Sequence, residues 1–265
     1  MYVFDASNIS PVAVTIGFID IRWYSLAYIC GLICAYIVVS KQIKQSNITN
    51  NISNHKKFMD SLLTYSAIGV LLGGRMGYVL LYNPIYYSMN VMDIFKIWQG
   101  GMSFHGGLIG VIIAIYLFSR KSYSFLQVTD IVAPSVPIGL FFGRLANFMN
   151  HELVGRPTSK LIGVVYYPGD QPHHPSQLYE ALLEGILLFL ILQVLIYKTN
   201  VLKQVGVVSS IFLIIYSIFR FFIEFSRAPD QHIGYIFHYI TYGQILSTIM
   251  FIAGVGLYIN RKKHS

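Results

Sequence analysis

Seven stretches of about twenty apolar residues divide this chain, roughly at 19–40, 60–82, 104–119, 126–148, 177–197, 205–225 and 238–259. A helix of that length crosses the hydrocarbon core of a bilayer, and only a helix or a closed barrel satisfies its own backbone there. The chain therefore reads as an all-α integral membrane protein, a bundle of seven transmembrane helices forming one polytopic domain over residues 1–265. Charged residues make up only 11% of it, against about 25% in a soluble domain. The third stretch is short. The fourth holds Pro134 and Pro137, which predict a kink.

The connecting charges set an orientation. Lys41, Lys44, Lys56, Lys57, Arg120, Lys121, Lys198, Lys203, Arg261, Lys262 and Lys263 fall in alternate connections and the tail, and are eleven of the 19 basic residues. By the positive-inside rule these are cytoplasmic. The C-terminus is then cytoplasmic and the N-terminus is outside. The first residues are polar, include Asp5 and carry no basic region before the first apolar run, so a retained first span is expected rather than a cleaved signal. The net charge of +8 is spread along connections with no basic face, which argues against nucleic acid as a partner.

Two outside segments carry more pattern than plain loops. Residues 83–103 mix Tyr86, Tyr87, Met92, Phe95 and Trp98 with Asp93 and Lys96, an amphipathic arm suited to the membrane interface. Residues 149–176, rich in Gly, Pro, His and Tyr, read as a small head segment between spans four and five. Residues 44–57 are a polar, Asn-rich cytoplasmic loop. Gly69, Gly73 and Gly77, and also Gly106 and Gly110, form small-residue stripes that let helices approach closely in lipid.

Charges inside the apolar stretches carry the functional signal, because a charge at bilayer depth costs a few kcal/mol or more and ordinarily faces a cavity or a partner. Arg75, Arg144, Arg220 and Glu224 are such charges. Arg220 and Glu224 share a helix face, with Tyr216 and Arg227 on the same stripe. A structural ion pair is the alternative to a substrate clamp, though a paired arginine keeps spare donors that Glu224 could hold in a fixed orientation. Arg144 is followed by Asn147, Asn150 and Glu152, and an arginine with neutral amide donors suits a phosphodiester. His105 lies among glycines, and Tyr24 follows Trp23 at the head of span one. A neutral imidazole can accept a proton near neutral pH, yet a lone His at a helix start also serves structure. His151, His173 and His174 show no metal-ligand spacing, and neither a P-loop nor a nucleophile elbow is present, so no metal and no cofactor are expected. Cys30 and Cys34, one turn apart, read as packing residues.

Four stretches resemble bacterial prolipoprotein diacylglyceryl transferases. They are Gly101–Gly107, Gly143–Arg156, His174–Glu180 and Arg220–Asp230, in the family's order. One departure is Ala146, where the family pattern has Gly. The resemblance implies transfer of the diacylglyceryl group of phosphatidylglycerol to the lipobox cysteine of a prolipoprotein, forming a thioether and releasing glycerol 1-phosphate. It implies a bacterial inner-membrane enzyme that works in the bilayer with its head toward the periplasm. It places functional residues at Tyr24, His105, Arg144, Asn147, Glu152, Gly155, Arg220 and Glu224. In that scheme Arg220 takes the leaving phosphate and is oriented by Glu224. Arg144 and Asn147 hold the head group, and Tyr24 bonds substrate at the mouth. The thiolate form is favoured by His105 as base or, alternatively, by the positive field of the arginines alone. A lipid transporter and an intramembrane protease are the rival classes. The first wants inverted repeats and the second a nucleophile–base pair at depth, and neither is found in the sequence.

Overall fold

The apolar stretches do become helices. The computed structural model describes residues 4–46, 48, 54–96, 100–120, 122–228, 235–236 and 240–263. Its main helices are α1 (Trp23–Ile43), α2 (His55–Leu81), α3 (Pro84–Met89), α4 (Phe104–Ser119), α5 (Phe125–Val132) and α6 (Val136–Met149). They continue with α7 (Ser176–Glu180), α8 (Leu188–Lys198), α9 (Val207–Ile223) and α10 (Tyr242–Lys263). A 3-10 turn at Ala133–Ser135, carrying Pro134, joins α5 to α6 where the proline signal sits. A π-helical stretch, Ala181–Leu187, joins α7 to α8.

Five of these helical runs, among the described residues, are long and apolar enough to cross a membrane: Trp23–Ile43, His55–Leu81, Phe125–Met149, Ser176–Lys198 and Tyr242–Lys263. The third and sixth predicted spans appear as the shorter α4 and α9. At 1.5 Å per residue these are roughly 24 and 26 Å long, just under a typical ~30 Å core. Local chemistry fixes their ends. Ser103 caps α4, its hydroxyl accepting from Gly106 N at 3.2 Å. At the start of α9 the Asp130 carboxylate accepts from Gly206 N at 2.5 Å and from Ser209 N and Oγ at 2.8 and 2.7 Å.

The chain falls into two compact units, 46–129 and the remainder. Within the first, α2 and α4 pack through the two glycine stripes. A Cβ on Gly73 would lie 2.3 Å from the Gly106 carbonyl, and one on Gly110 would lie 2.1 Å from the Gly69 carbonyl. Arg75, whose charge the sequence flags, is a structural tie. It is buried, and its guanidinium donates to the carbonyls of Asp93 (2.6 Å), Ile94 (2.8 Å), Lys96 (3.3 Å), Gly100 (2.6 Å) and Gly101 (3.2 Å). That fan of donors fastens the predicted arm to α2. Within the arm, hydrogen bonds from Lys96 and then Tyr86 hold the Asp93 carboxyl below the usual carboxylate range. Ile85, Met89, Met92 and Phe95 remain exposed on it. Of the predicted features, Trp98, Lys121, Asp230, much of the 44–57 loop and the start of the 238–259 stretch lie outside the described residues.

Within the second unit, α1 packs on α6, where Gly31 and Gly139 let the backbones close in. The π-helical stretch packs on α6 through Gly185, whose Cβ would meet Phe141 Cβ at 2.7 Å. Helix α9 lies against α10. The sequence reading gave no strand, but six short ones occur among the described residues. β2 (Val12–Ile16) and β3 (Ile19–Arg22) form a hairpin that leads into α1. β1 (Phe4–Asp5) pairs in parallel with β4 (Val164–Val165) inside the 149–176 segment. β5 (Tyr235–Ile236) pairs with β6 (Ile240–Thr241) ahead of α10. Ala6, Phe148, Val164 and Tyr166 form a small core under the 149–176 segment, and Tyr166 donates to Gln177 Oε1 at 3.0 Å.

Candidate active site

Helix α6 presents Arg144 and Asn147 three residues apart, on one face. The chain then leaves the helix through His151 and Leu153, both at positive φ (56° and 54°), a conformation side chains seldom adopt outside constrained sites. Between them, Glu152 is thrown back toward α1. Tyr24, in the first turn of α1, donates to Glu152 Oε2 at 2.5 Å and accepts from Asn147 Nδ2. The Asn147 amide also donates to Glu152 at 3.3 Å, and its Oδ1 accepts from Arg144 Nη1 at 3.5 Å. Tyr24, Asn147, Glu152 and Arg144 thus form one chain of contacts drawn from two helices and a turn.

Helix α9 ends at Ile223, and the turn that follows brings Arg227 to the carboxylates that Arg220 meets. Glu224 binds both: its Oε2 lies 3.1 Å from Arg220 Nη2 and 3.4 Å from Arg227 Nε. Its other oxygen accepts from Thr241 Oγ1 at 3.1 Å. Gly243, at the start of α10, leaves room for it, because a Cβ there would lie 2.6 Å from Glu224 Oε1. The i,i+4 pair read from the sequence is therefore real.

The larger feature was missed in the sequence. Glu180, at the end of α7, is fully buried and gathers three arginines. Arg220 Nη1 and Arg227 Nη1 donate to Oε1, the latter at 2.9 Å. Arg144 Nε stands 2.9 Å from Oε2, an ion pair by distance whose angle falls short of a hydrogen bond. Four residues on, within the π-helical stretch, Glu184 is equally buried and lies 3.6 Å from Arg220 and 3.9 Å from Arg144. The signal for both was present. They are carboxylates inside an apolar stretch, the same criterion that singles out Arg144 and Arg220.

Tyr216 is half-buried one turn before Arg220 and stands in electrostatic range of Glu184 and Arg220. Gly155 is a backbone position. It bridges Arg227, donates to the His174 carbonyl at 3.1 Å and accepts from His173 Nδ1 at 2.8 Å. A Cβ there would lie 2.4 Å from the His174 carbonyl oxygen, which accounts for glycine by packing. The neighbouring Arg156 donates to the Arg227 carbonyl at 2.7 Å, and its amide to the Ser226 carbonyl at 2.9 Å, so the 149–176 segment clamps the turn that carries Arg227. Burial, with the nearby Lys160 charge, pushes the His174 imidazole below its ordinary value. Asn150 closes α6, its amide donating to the Ala146 carbonyl at 3.0 Å, and no described hydrogen bond ties its side chain to the arginines. His105 lies in the first turn of α4, in the other compact unit, and its side chain is outside the described part of the structure. No group of three or more His, Cys, Asp or Glu able to hold a metal occurs among the described residues.

Three arginines brought to one buried carboxylate from α6, from α9 and from the turn beyond it form a preorganised guanidinium cluster of the kind that binds phosphate. Comparison with known proteins gives the family. The family model for prolipoprotein diacylglyceryl transferase matches residues 11–260. A phosphatidylglycerol–prolipoprotein diacylglyceryl transferase of Rickettsia bellii (strain OSU 85-389) is 48% identical over 262 residues, 97% of each chain. Those of Rickettsia felis (strain ATCC VR-1525 / URRWXCal2) and Rickettsia typhi (strain ATCC VR-144 / Wilmington) are 49% and 47% identical over 251 residues, 93% of this chain and 95% of theirs. On a match that runs nearly from end to end, the chain belongs to the prolipoprotein diacylglyceryl transferase family.

Proposed function

We propose that this protein transfers the diacylglyceryl group of phosphatidylglycerol to the thiol of the lipobox cysteine in the signal-peptide region of a prolipoprotein, the first step of bacterial lipoprotein maturation. The observation that carries the reading is the convergence of Arg144 and Arg220 on Glu180. A chamber for a lipid phosphate needs guanidinium groups from separate helices held at one point, and these two are.

The roles follow from the reaction. The bond that breaks joins a glycerol carbon to a phosphate oxygen, and the departing group gains charge on that oxygen. Donors fixed in advance toward developing charge lower the barrier most, typically by about 3 kcal/mol each in a water-poor site. Arg220, steadied by Glu180 and Glu224, takes the departing phosphate. Arg144 and Asn147 hold the head group, with Asn150 and Gly155 at its border. Tyr24 offers its hydroxyl at the mouth, ordered by Glu152. Tyr216 and Arg227 complete the wall around Arg220. The nucleophile is a thiolate, and a free cysteine has a pKa of about 8.5, so its proton needs an acceptor or a positive field. Either His105 is that acceptor or the field of the arginines alone favours the thiolate.

The apolar helices are read as seven spans in the bacterial inner membrane, α4 and α9 being the short ones. The N-terminus is periplasmic and the C-terminus cytoplasmic. The 149–176 segment is a periplasmic head, and the exposed apolar face of the 83–103 arm lies in the interface. The test is reconstitution: purified protein, phosphatidylglycerol and a lipobox peptide. Thioether-linked peptide with released glycerol phosphate is the expected result. Lipid scrambling without product would instead mark a transporter.

A further inference from the structure

Glu180 and Glu184 share one site but are treated differently by it. Glu180 takes the close contacts of all three arginines. Glu184 is fully buried, yet neither of its oxygens has a hydrogen-bond partner among the described residues, and its nearest cations stand 3.6 and 3.9 Å away. The position is enforced by the backbone. The π-helical stretch Ala181–Leu187 presses against α6 at Gly185, which holds Glu184 facing Arg144. An ionised carboxylate in such a place is desolvated without the hydrogen bonds that would offset the loss, and a second carboxylate beside it adds repulsion.

The charge count sharpens the point. With every group ionised, Arg144, Arg220 and Arg227 face Glu180, Glu184 and Glu224, so the cluster is neutral. Going one layer out adds Arg156 and Glu152, one of each sign, and leaves the balance unchanged. A neutral cluster has no net attraction for the single negative charge of a phosphodiester.

We propose that Glu184 is the positioning residue that sets the charge of this site, holding a proton while phosphatidylglycerol binds so that the cluster carries one positive charge against the phosphate's one negative charge. This rests on the phosphodiester reading given above. The groups facing Glu184 are Glu180 on its own element, Arg144 from α6, Tyr216 and Arg220 from α9, and Arg227 from the turn beyond. Loss of its proton at alkaline pH returns the cluster to neutrality and weakens lipid binding.

The experiment compares the full-length protein with Glu184→Gln, a neutral isostere of the protonated acid. Lipid KM and kcat are measured from mildly acidic to alkaline pH with phosphatidylglycerol and a lipobox peptide. The expected result is a wild-type lipid KM that rises about tenfold toward alkaline pH, in the usual range for coupled binding, and a Glu184→Gln KM that stays low and flat. The infrared band of a neutral carboxylic acid is expected in wild-type protein and is lost in Glu184→Gln. Identical pH dependence of KM in the two proteins, or no such band in the wild type, overturns the proposal. So does a Glu184→Gln protein that fails to fold where Glu184→Asp folds, since the arginines would then need the ionised charge. If wild-type protein makes no thioether at any pH, the transfer reading fails, and the infrared band still decides the protonation of Glu184 separately.

Discussion

Arg144 on α6 and Arg220 on α9 meet at one carboxylate, that of Glu180, which is completely buried. Beyond the contact each makes along its own helix, Arg144 to Asn147 and Arg220 to Glu224, the two share a partner. Each is aimed by an acid carried on a third element, and that acid is held by the π-helical stretch packed on α6. The convergence of the two guanidinium groups is thus a property of three helices docked together.

Glu180→Gln therefore does more than weaken one contact. It leaves three guanidinium groups, one buried and two largely so, facing an amide that accepts at one atom only. Removing one partner of a buried ionic network costs about 3–5 kcal/mol. The expected outcome is a lowered midpoint of thermal unfolding together with turnover reduced by more than about 100-fold, the effect of misaiming a transition-state donor. A stable Glu180→Gln protein with near-normal turnover would show that the arginines are oriented by something else.

Arg220→Lys keeps the positive charge and removes the planar fork. One ammonium cannot at once meet Glu180 and Glu224 and offer a pair of parallel donors to phosphate. Turnover should fall about 100- to 1,000-fold while lipid binding changes less, because the lost interaction grows as the leaving group gains charge. Single-turnover assays at saturating lipid read this directly. Full activity would remove Arg220 from the departing phosphate.

Arg75 shows that a charge in an apolar stretch is not always catalytic. Its donors end on five backbone carbonyls of residues 93–101. Arg75→Lys can reach only some of them, and each buried carbonyl left unpaired costs about 1–3 kcal/mol. The arm over 84–96 should become open to limited proteolysis at temperatures where wild type resists it. An unchanged cleavage pattern would mean the arm is held by other contacts.

The glycine stripes give a matched pair of substitutions. Gly110→Ala places a methyl 2.1 Å from the Gly69 carbonyl oxygen, whereas at Gly107 the nearest atom is 3.7 Å away. Overpacking of a close helix crossing costs about 1–3 kcal/mol, while a tolerated surface change stays within about 0.5. Gly110→Ala should lower the unfolding midpoint clearly and Gly107→Ala should not. Equal effects would contradict the crossing of α2 on α4.

The sequence exposed what depends on periodicity and on isolated charges. The apolar stretches, the glycine stripes and the Arg220–Glu224 spacing could all be read from it, because each is local in the chain. Asn147 and Glu152 were readable beside Arg144, and Tyr24 at the head of span one, but their joining was not, since what unites them is a turn with two left-handed residues. Glu180 and Glu184 were passed over although they obey the same rule as the arginines. Glu180 stands among His173, His174, Gln177 and Tyr179 at the start of span five, a polar cluster with no charge pairing legible in it, and nothing in residue spacing announces a π-helical stretch. The N-terminal hairpin is likewise too short to declare itself by alternation. The pairing of three arginines with two acids four residues apart is tertiary information, created when α6, α7 and α9 dock.

Gly243 tests whether Glu224 orients the arginines or merely balances them. It opens α10 beside the Glu224 carboxylate, and an added Cβ would lie 2.6, 2.7 and 2.9 Å from Oε1, Cδ and Oε2. The methyl of Gly243→Ala must push that carboxylate aside, and with it the contacts at 3.1 Å to Arg220 and 3.4 Å to Arg227. No charge is lost, so a role limited to charge balance would leave turnover alone. A role in aiming the guanidinium predicts turnover lower by about tenfold with little change in lipid KM. Combining Gly243→Ala with Glu224→Gln separates the two further. If the glycine acts through the carboxylate, the double variant should be no worse than Glu224→Gln alone, a coupling well beyond the ~0.5 kcal/mol seen between independent sites. Strict additivity of the two losses would place the effect of Gly243 in the packing of α10 and would leave Arg220 aimed by Glu180.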